Sequence, residues 1–166
     1  MSAVLTTSDV YEAFLDRDSR ERAFLHSHSY TGNPLGCAAA LASLSIFESE
    51  PVLERNRATA RRMGELAAPF ADHPNVAEVR QTGMILAIEL VADKATREPF
   101  PVAAGLTAKI VAAGLANGIW VYPGGAVEPA RDTITFGPPF TITDAEIEEI
   151  GARFERALES ALARVR

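Results

Sequence analysis

The chain has 166 residues, 48% of them hydrophobic, and its 22 acidic residues outnumber 16 basic ones to give a net charge of −6. This length can bury a substantial core, and an acidic balance without a basic block disfavours binding to nucleic acid or anionic membranes. The single cysteine, Cys37, excludes an intrachain disulfide, and without a signal peptide or membrane-spanning apolar run we expect a soluble cytoplasmic protein.

The first predicted elements are a short buried strand at residues 2–7 and a capped helical turn that begins at Ser8. The charged residues 16–22 follow as a surface loop. Asn33 and the adjoining proline then predict a helix start, since an asparagine cap and a first-turn proline are typical of that position. Residues 35–48 contain almost no charge, so we expect this helix to be buried on nearly all sides.

The rest of the chain alternates between helical and strand-like patterns. The segments are residues 52–70 (helix), 76–90 (two strands around Gly83), 100–117 (helix), 119–122 and 133–136 (strands) and a last helix from Thr143. Thr143 and Glu146 have the spacing of a capping box, and Trp120, Phe140 and Cys37 are predicted core residues. This order predicts an α+β fold, with an antiparallel or mixed sheet and helices packed on one face.

The most informative segment is FLHSHSYTGNP, residues 24–34. It places six hydrogen-bonding side chains, residues 26–31, ahead of a helix N-terminus, a combination that suits a phosphate group. An ordinary polar loop, whose hydroxyls satisfy turns and caps, is the alternative that these residues leave open. His26 and His28 have no carboxylate or cysteine at ligand spacing, so we expect no metal site.

The run FLHSHSYTGNPLGCAAALASLSIFE, together with VRQTGMILAIELV at residues 79–91 and DKATREPFP at residues 93–101, resembles the class III aminotransferases. These are fold-type-I enzymes that use pyridoxal 5′-phosphate (PLP). The three motifs are most similar in sequence to those of the enzymes that aminate 8-amino-7-oxononanoate in biotin synthesis. The resemblance covers essentially the whole chain. It implies that residues 1–33 end the large cofactor-binding domain with its phosphate-contacting loop, residues 34–50 form an interdomain helix, and residues 51–166 form the C-terminal small domain.

The resemblance also implies roles for individual residues. Ser29 occupies the position whose hydroxyl binds the PLP phosphate of the neighbouring subunit, and His28 and Tyr30 border the cofactor. Tyr122 stands where the biotin-pathway enzymes carry an arginine that pairs with the substrate carboxylate, and a tyrosine lacks that bidentate charged fork. Arg131, in the following loop, is the candidate replacement, with an exposed loop arginine as the alternative. Arg80 is expected to hold a strand end through backbone carbonyls.

Lys94 and Lys109 are the two lysines of the chain, and neither lies in the family's context for the lysine that holds the cofactor. We therefore expect no catalytic residue in this chain and no amino transfer between small-molecule amines and keto compounds by the chain alone. The expected partners are a second copy in a homodimer or a separate N-terminal half of the enzyme. Another class III omega-aminotransferase and a non-catalytic interaction module that keeps the fold remain as alternatives.

Overall fold

The computed structural model describes residues 2–15, 22–124 and 132–165. It divides into two compact units, Met1–Pro51 and Val52–Arg166. No helix in these described ranges is long and apolar enough to cross a membrane.

The first unit contains, in its described part, the helices α1 (Ser8–Glu12) and α2 (Pro34–Ser49). Asn33 caps α2, since its Oδ1 accepts a hydrogen bond from the amide of Gly36 at 2.7 Å. The helix start at Asn33 and Pro34 is therefore as predicted.

Burial in the first unit differs from the sequence prediction. No residue of α2 is buried, and Leu35 and Leu41 are 83% and 67% exposed. Residues 2–7 form no strand, and Val4 and Leu5 are also exposed. The predicted strand is wrong within this unit, because its described residues include no sheet with which a strand could pair. The exposure of α2 applies to this chain alone, and its burial as an interdomain helix stays a prediction.

The second unit is built on a four-stranded antiparallel sheet in the order β1-β2-β4-β3. Its strands are β1 (Val76–Thr82), β2 (Ile85–Leu90), β3 (Tyr122–Gly124) and β4 (Asp132–Phe136). Its helices are α3 (Val52–Ala67), α4 (Leu106–Ala116) and α5 (Asp144–Leu162), with short 3-10 turns at Ala68–Asp72 and Val102–Ala104. The α+β prediction is confirmed, and every pairing is antiparallel.

The core lies between one face of this sheet and the helices. Ile88 of β2 pairs with Ile134 of β4, and both are at most 1% exposed. Phe154 of α5 packs edge-on against Phe136 and Phe70, with ring centroids 5.0 and 5.3 Å apart. The buried residues Ile147, Phe154, Leu158 and Leu162 lie on one side of α5, and this side faces the core.

Three predictions of core position or contact in the second unit are wrong. Trp120 and Phe140 are 64% and 49% exposed. Val121 takes the inward position at 1% exposed, and side chains alternate along an extended chain, so Trp120 turns outward. Phe140 lies in the irregular segment before α5. Arg80 pairs with carboxylates rather than backbone carbonyls, because antiparallel pairing brings Glu89 of the neighbouring strand to 3.1 Å from its Nη1.

Candidate functional site

The predicted phosphate-contacting loop begins with a turn centred on Ser29 and Tyr30. The amide of Thr31 donates to the carbonyl of His28 at 2.9 Å, and the amide of His28 donates to the hydroxyl of Thr31 at 3.0 Å. This reciprocal pair closes the turn from both ends. It also uses the hydroxyl oxygen of Thr31 as an acceptor, which gives this side chain a structural role.

A second turn carries the chain from Tyr30 into α2. The carbonyl of Tyr30 accepts from the amide of Asn33 at 3.2 Å and from its Nδ2 at 2.9 Å. Gly32 has φ +70°, a left-handed conformation that favours glycine at this position of a turn. The Asn33 side chain thus joins the turn to the helix that it caps, so the loop is fixed relative to the start of α2.

Ser29 offers a hydroxyl that the turn does not use. Its side chain is exposed and has no hydrogen-bond partner among the described residues, a state that it shares with Ser27. It lies five residues before α2, whose N-terminus carries partial positive charge. A free hydroxyl beside a capped helix start fits an anionic phosphate oxygen, so these residues fit the phosphate end of PLP.

A series of rings runs along the segment that leads to this turn. Phe14 and Phe24 have ring centroids 5.6 Å apart, Phe24 and His26 are also 5.6 Å apart, and His26 and His28 are 5.7 Å apart. The side chains of Phe24, His26 and His28 therefore lie on the same side of this segment. Throughout the described ranges, no three His, Cys, Asp or Glu side chains are grouped so that they could hold a metal ion.

Both lysines lie in the second unit and donate to backbone carbonyls there. The ammonium of Lys94 donates to the carbonyls of Ala71 and His73, the latter at 3.4 Å. The ammonium of Lys109 donates to the carbonyl of Arg164 at 3.2 Å. Each lysine side chain is therefore held at the surface of the second unit. Neither contact indicates a role in binding a cofactor.

Tyr122 lies on the edge strand β3, opposite Thr135 of β4, on the sheet face that points away from the core. It is 58% exposed and forms an edge-to-face pair with Trp120, with centroids 6.0 Å apart and planes at 82°. Sequence reasoning missed Trp120 as a surface residue. The signal was the alternation Trp120-Val121-Tyr122, which turns both aromatic rings to one side. Arg131 lies outside the described residues.

Trp120 and Tyr122 line a groove of about 720 Å³ in the second unit. The opposite wall belongs to the first half of α5 and contributes Glu146, Glu149 and Arg153. The volume is within the range of roughly 300–1,000 Å³ that is typical of small-molecule sites. The groove is thus a further place, among the described residues, where a ligand can be accommodated.

Comparison with known proteins gives consistent matches along the chain. The sequence profile of the family described as "Aminotransferase class-III" matches residues 1–158. The adenosylmethionine-8-amino-7-oxononanoate aminotransferase of Nitratidesulfovibrio vulgaris is 38% identical over 150 residues, which are 90% of this chain and 27% of that protein.

Two solved structures show the same fold at substantial identity. The adenosylmethionine-8-amino-7-oxononanoate aminotransferase of Methanocaldococcus jannaschii matches with a TM-score of 0.78 and 33% identity, over 93% of this chain and 34% of that one. A PLP-bound aminotransferase mutant from Vibrio fluvialis matches with a TM-score of 0.77 and 30% identity, over 87% and 30%. The chain thus spans about a third of the length of these relatives. Because the family profile matches nearly its whole length, the chain belongs to the class III aminotransferases, a family that uses pyridoxal phosphate.

Proposed function

We propose that this chain is the C-terminal part of a PLP-dependent enzyme that transfers an amino group from an amine to a ketone or aldehyde acceptor. The observation that carries the proposal is the unused hydroxyl of Ser29, held in a closed turn just before the capped start of α2. Membership of the class III aminotransferases supports the reaction class.

PLP, when bound, supplies an electron sink for negative charge at the reacting carbon. The part of this chain is to hold the phosphate. Ser29 would hold the phosphate by a hydrogen bond from its hydroxyl group, and the pair of hydrogen bonds between His28 and Thr31 fixes the turn that carries it. His28 and Tyr30, with a ring that is 81% exposed, border the cofactor. The lysine that holds PLP comes from outside these 166 residues, either from the rest of a homodimeric enzyme of which this chain is one part or from a separate N-terminal half.

The acceptor we propose is 8-amino-7-oxononanoate, aminated in biotin synthesis. The names of the relatives from Nitratidesulfovibrio vulgaris and Methanocaldococcus jannaschii support this step. Tyr122 favours a second candidate, another class III omega-aminotransferase, because a phenol cannot pair with a substrate carboxylate as a guanidinium does. We keep Tyr122 and Arg131 as substrate-contacting residues in either case.

The test is to assemble the enzyme from this chain and a polypeptide that supplies the remaining two-thirds, and to add PLP. We expect amino transfer to 8-amino-7-oxononanoate by this assembled enzyme and none by the 166-residue chain alone. The matched control is the same assembly with the partner's cofactor lysine replaced by alanine, which should be inactive. A folded, PLP-loaded assembly that aminates no keto compound would favour a non-catalytic interaction module instead.

A further inference from the structure

An apolar cavity of about 50 Å³ lies inside the second unit, between the sheet and the helices α3 and α5. Each residue that lines it has an apolar side chain or, at Gly151, none. Six of the lining residues belong to the buried core and are at most 7% exposed, namely Met63, Ala67, Leu86, Ile88, Ile147 and Phe154. The cavity is therefore a gap in the hydrophobic core of this unit.

The remaining side chains of the lining are half-buried and connect the cavity with solvent. They are Leu66, Phe70, Phe136, Pro138, Ile142 and Ile150. A small molecule can therefore reach the cavity between these side chains without unfolding of the core.

Gly151 is the residue of α5 that leaves this space open. It follows Ile147 by four positions and precedes Phe154 by three, so it lies on the same buried side of the helix. A Cβ at this position would meet no atom within 4 Å. Glycine in a helix interior is less stable than alanine, and here it also leaves part of the core unfilled.

The chemistry of the lining favours a carbon-rich occupant over water. A buried water molecule needs about two to four hydrogen-bond partners. The side chains here are apolar, and the backbone groups of the helices and paired strands are bonded within those elements. An apolar molecule, by contrast, would restore the dispersion contacts that the lining atoms lack on the side of the gap.

We propose that this cavity binds a small apolar molecule, of the size of a short hydrocarbon. The site lies entirely in the second unit, apart from the turn at Ser29, and it needs no cofactor. The inference goes beyond the proposed function and stands or falls independently of amino transfer.

Xenon is the probe, because it is an apolar atom that enters apolar cavities of proteins. The 166-residue chain, with labelled isoleucine methyl groups, is studied by NMR under increasing xenon pressure. We expect the methyl signals of Ile88 and Ile147 to shift and to saturate, whereas Ile110, which is buried in the same core but does not line the cavity, should not respond. Shifts that grow linearly without saturation, or an equal response at Ile110, would overturn the proposal.

Gly151→Leu fills the cavity from α5 and should weaken xenon binding roughly ten-fold, because its side chain takes up the space and the contacts. Ala152→Leu is the matched control, since Ala152 is the next residue of α5, is exposed and does not line the cavity. Ala67→Leu fills the cavity from α3 and is the second variant if Gly151→Leu does not fold. Unchanged xenon affinity in a folded filling variant would contradict the assignment.

Two further outcomes would place xenon elsewhere. Saturable shifts centred on Ile85 and Ile119, which line the groove beside Tyr122 and not the cavity, would assign the binding to that groove and overturn the proposal. The same experiment on the enzyme assembled with the remaining two-thirds tests the cavity in its complete setting. Loss of the saturable shifts there would mean that the added polypeptide fills the cavity, which would also overturn it.

Discussion

Thr143 and Glu146 cap α5 reciprocally. The amide of Thr143 donates to Glu146 Oε2 at 2.8 Å, and the amide of Glu146 donates to Thr143 Oγ1 at 3.3 Å. The capping box predicted from the spacing of these two residues is therefore present. The backbone hydrogen bond from Thr143 is the main reason that the pKa of Glu146 lies below its ordinary value, because it stabilises the ionised carboxyl.

Replacing Thr143 with alanine should lower the free energy of unfolding by about 1 kcal/mol at neutral pH. The pKa of Glu146 is lower in the folded state than in the unfolded state. Its contribution to the free energy of unfolding is therefore complete above the unfolded-state pKa and is lost as the pH falls through the folded-state pKa. Alanine keeps the backbone hydrogen bond and removes only the hydroxyl of Thr143, which is the smaller cause of the lowered pKa, so the penalty should shrink in acid by that smaller part. Urea unfolding at about pH 7 and pH 3 measures it, with the exposed Thr141→Ala as a control; an equal penalty at both pH values would contradict this account.

Two helical glycines should respond oppositely to alanine. Gly151 of α5 borders an apolar cavity of about 50 Å³, and a Cβ there would meet nothing within 4 Å. Gly151→Ala should stabilise the protein by up to about 1 kcal/mol, since alanine is the better helix former. A Cβ on Gly114 of α4 would lie 3.0 Å from the carbonyl oxygen of Ile119, so Gly114→Ala should destabilise it. Thermal unfolding measures the change in melting temperature of both variants. Changes of the same sign would contradict this account of their packing.

The chain alone should form no stable covalent adduct with PLP. Lys94 and Lys109 each donate to backbone carbonyls, and neither lies in the sequence context of the family's cofactor lysine. Borohydride reduction in the presence of PLP, followed by peptide mass spectrometry, should find neither lysine modified at one equivalent. One equivalent of reduced PLP on either residue would show that the chain carries its own cofactor lysine.

The apolar surface of α2 should make the isolated chain self-associate. Leu41 and Leu44 are 67% and 60% exposed and lie one turn apart on the helix. Sedimentation velocity should show association that increases with concentration, and the double variant Leu41→Glu, Leu44→Glu should suppress it. Arg57→Glu with Arg61→Glu on α3 is the control, with a larger charge change per residue because each substitution replaces a positive charge with a negative one. A monomer at all concentrations would count against the prediction.

Local patterns predicted two helix starts and one turn correctly, whereas the helix predicted at residues 100–117 begins only at Leu106 and the strand predicted at residues 119–122 lies at Tyr122–Gly124. Asn33 caps α2, Thr143 caps α5, and the two strands around Gly83 form a hairpin in which that glycine has φ +52°. In each case the deciding hydrogen bonds or dihedral angles involve residues at most three positions apart. Sequence spacing alone is therefore sufficient to identify them.

Burial and pairing across the fold were harder to predict. Trp120 is exposed because Val121 takes the inward position, and Arg80 meets Glu89 only because of the register of β1 with β2. The hydrophobicity or charge of a single residue does not predict how one strand is aligned with the next. The two candidate sites differ in the same way. The loop at Ser29 could be predicted because it is formed by one continuous segment. The groove could not, because it combines residues from β3 and α5 that are far apart in sequence.

The most direct test of the central claim compares Ser29→Ala with Ser27→Ala in the assembled enzyme. Both serines are exposed and have no hydrogen-bond partner among the described residues, but only Ser29 lies in the turn closed by Thr31. We predict that Ser29→Ala weakens PLP binding roughly ten-fold, or about 1–2 kcal/mol for one lost hydrogen bond to a charged acceptor, without loss of thermal stability. Ser27→Ala should leave the PLP dissociation constant unchanged. An unchanged dissociation constant in Ser29→Ala, or an equal loss in both variants, would contradict the assignment of Ser29 to the phosphate.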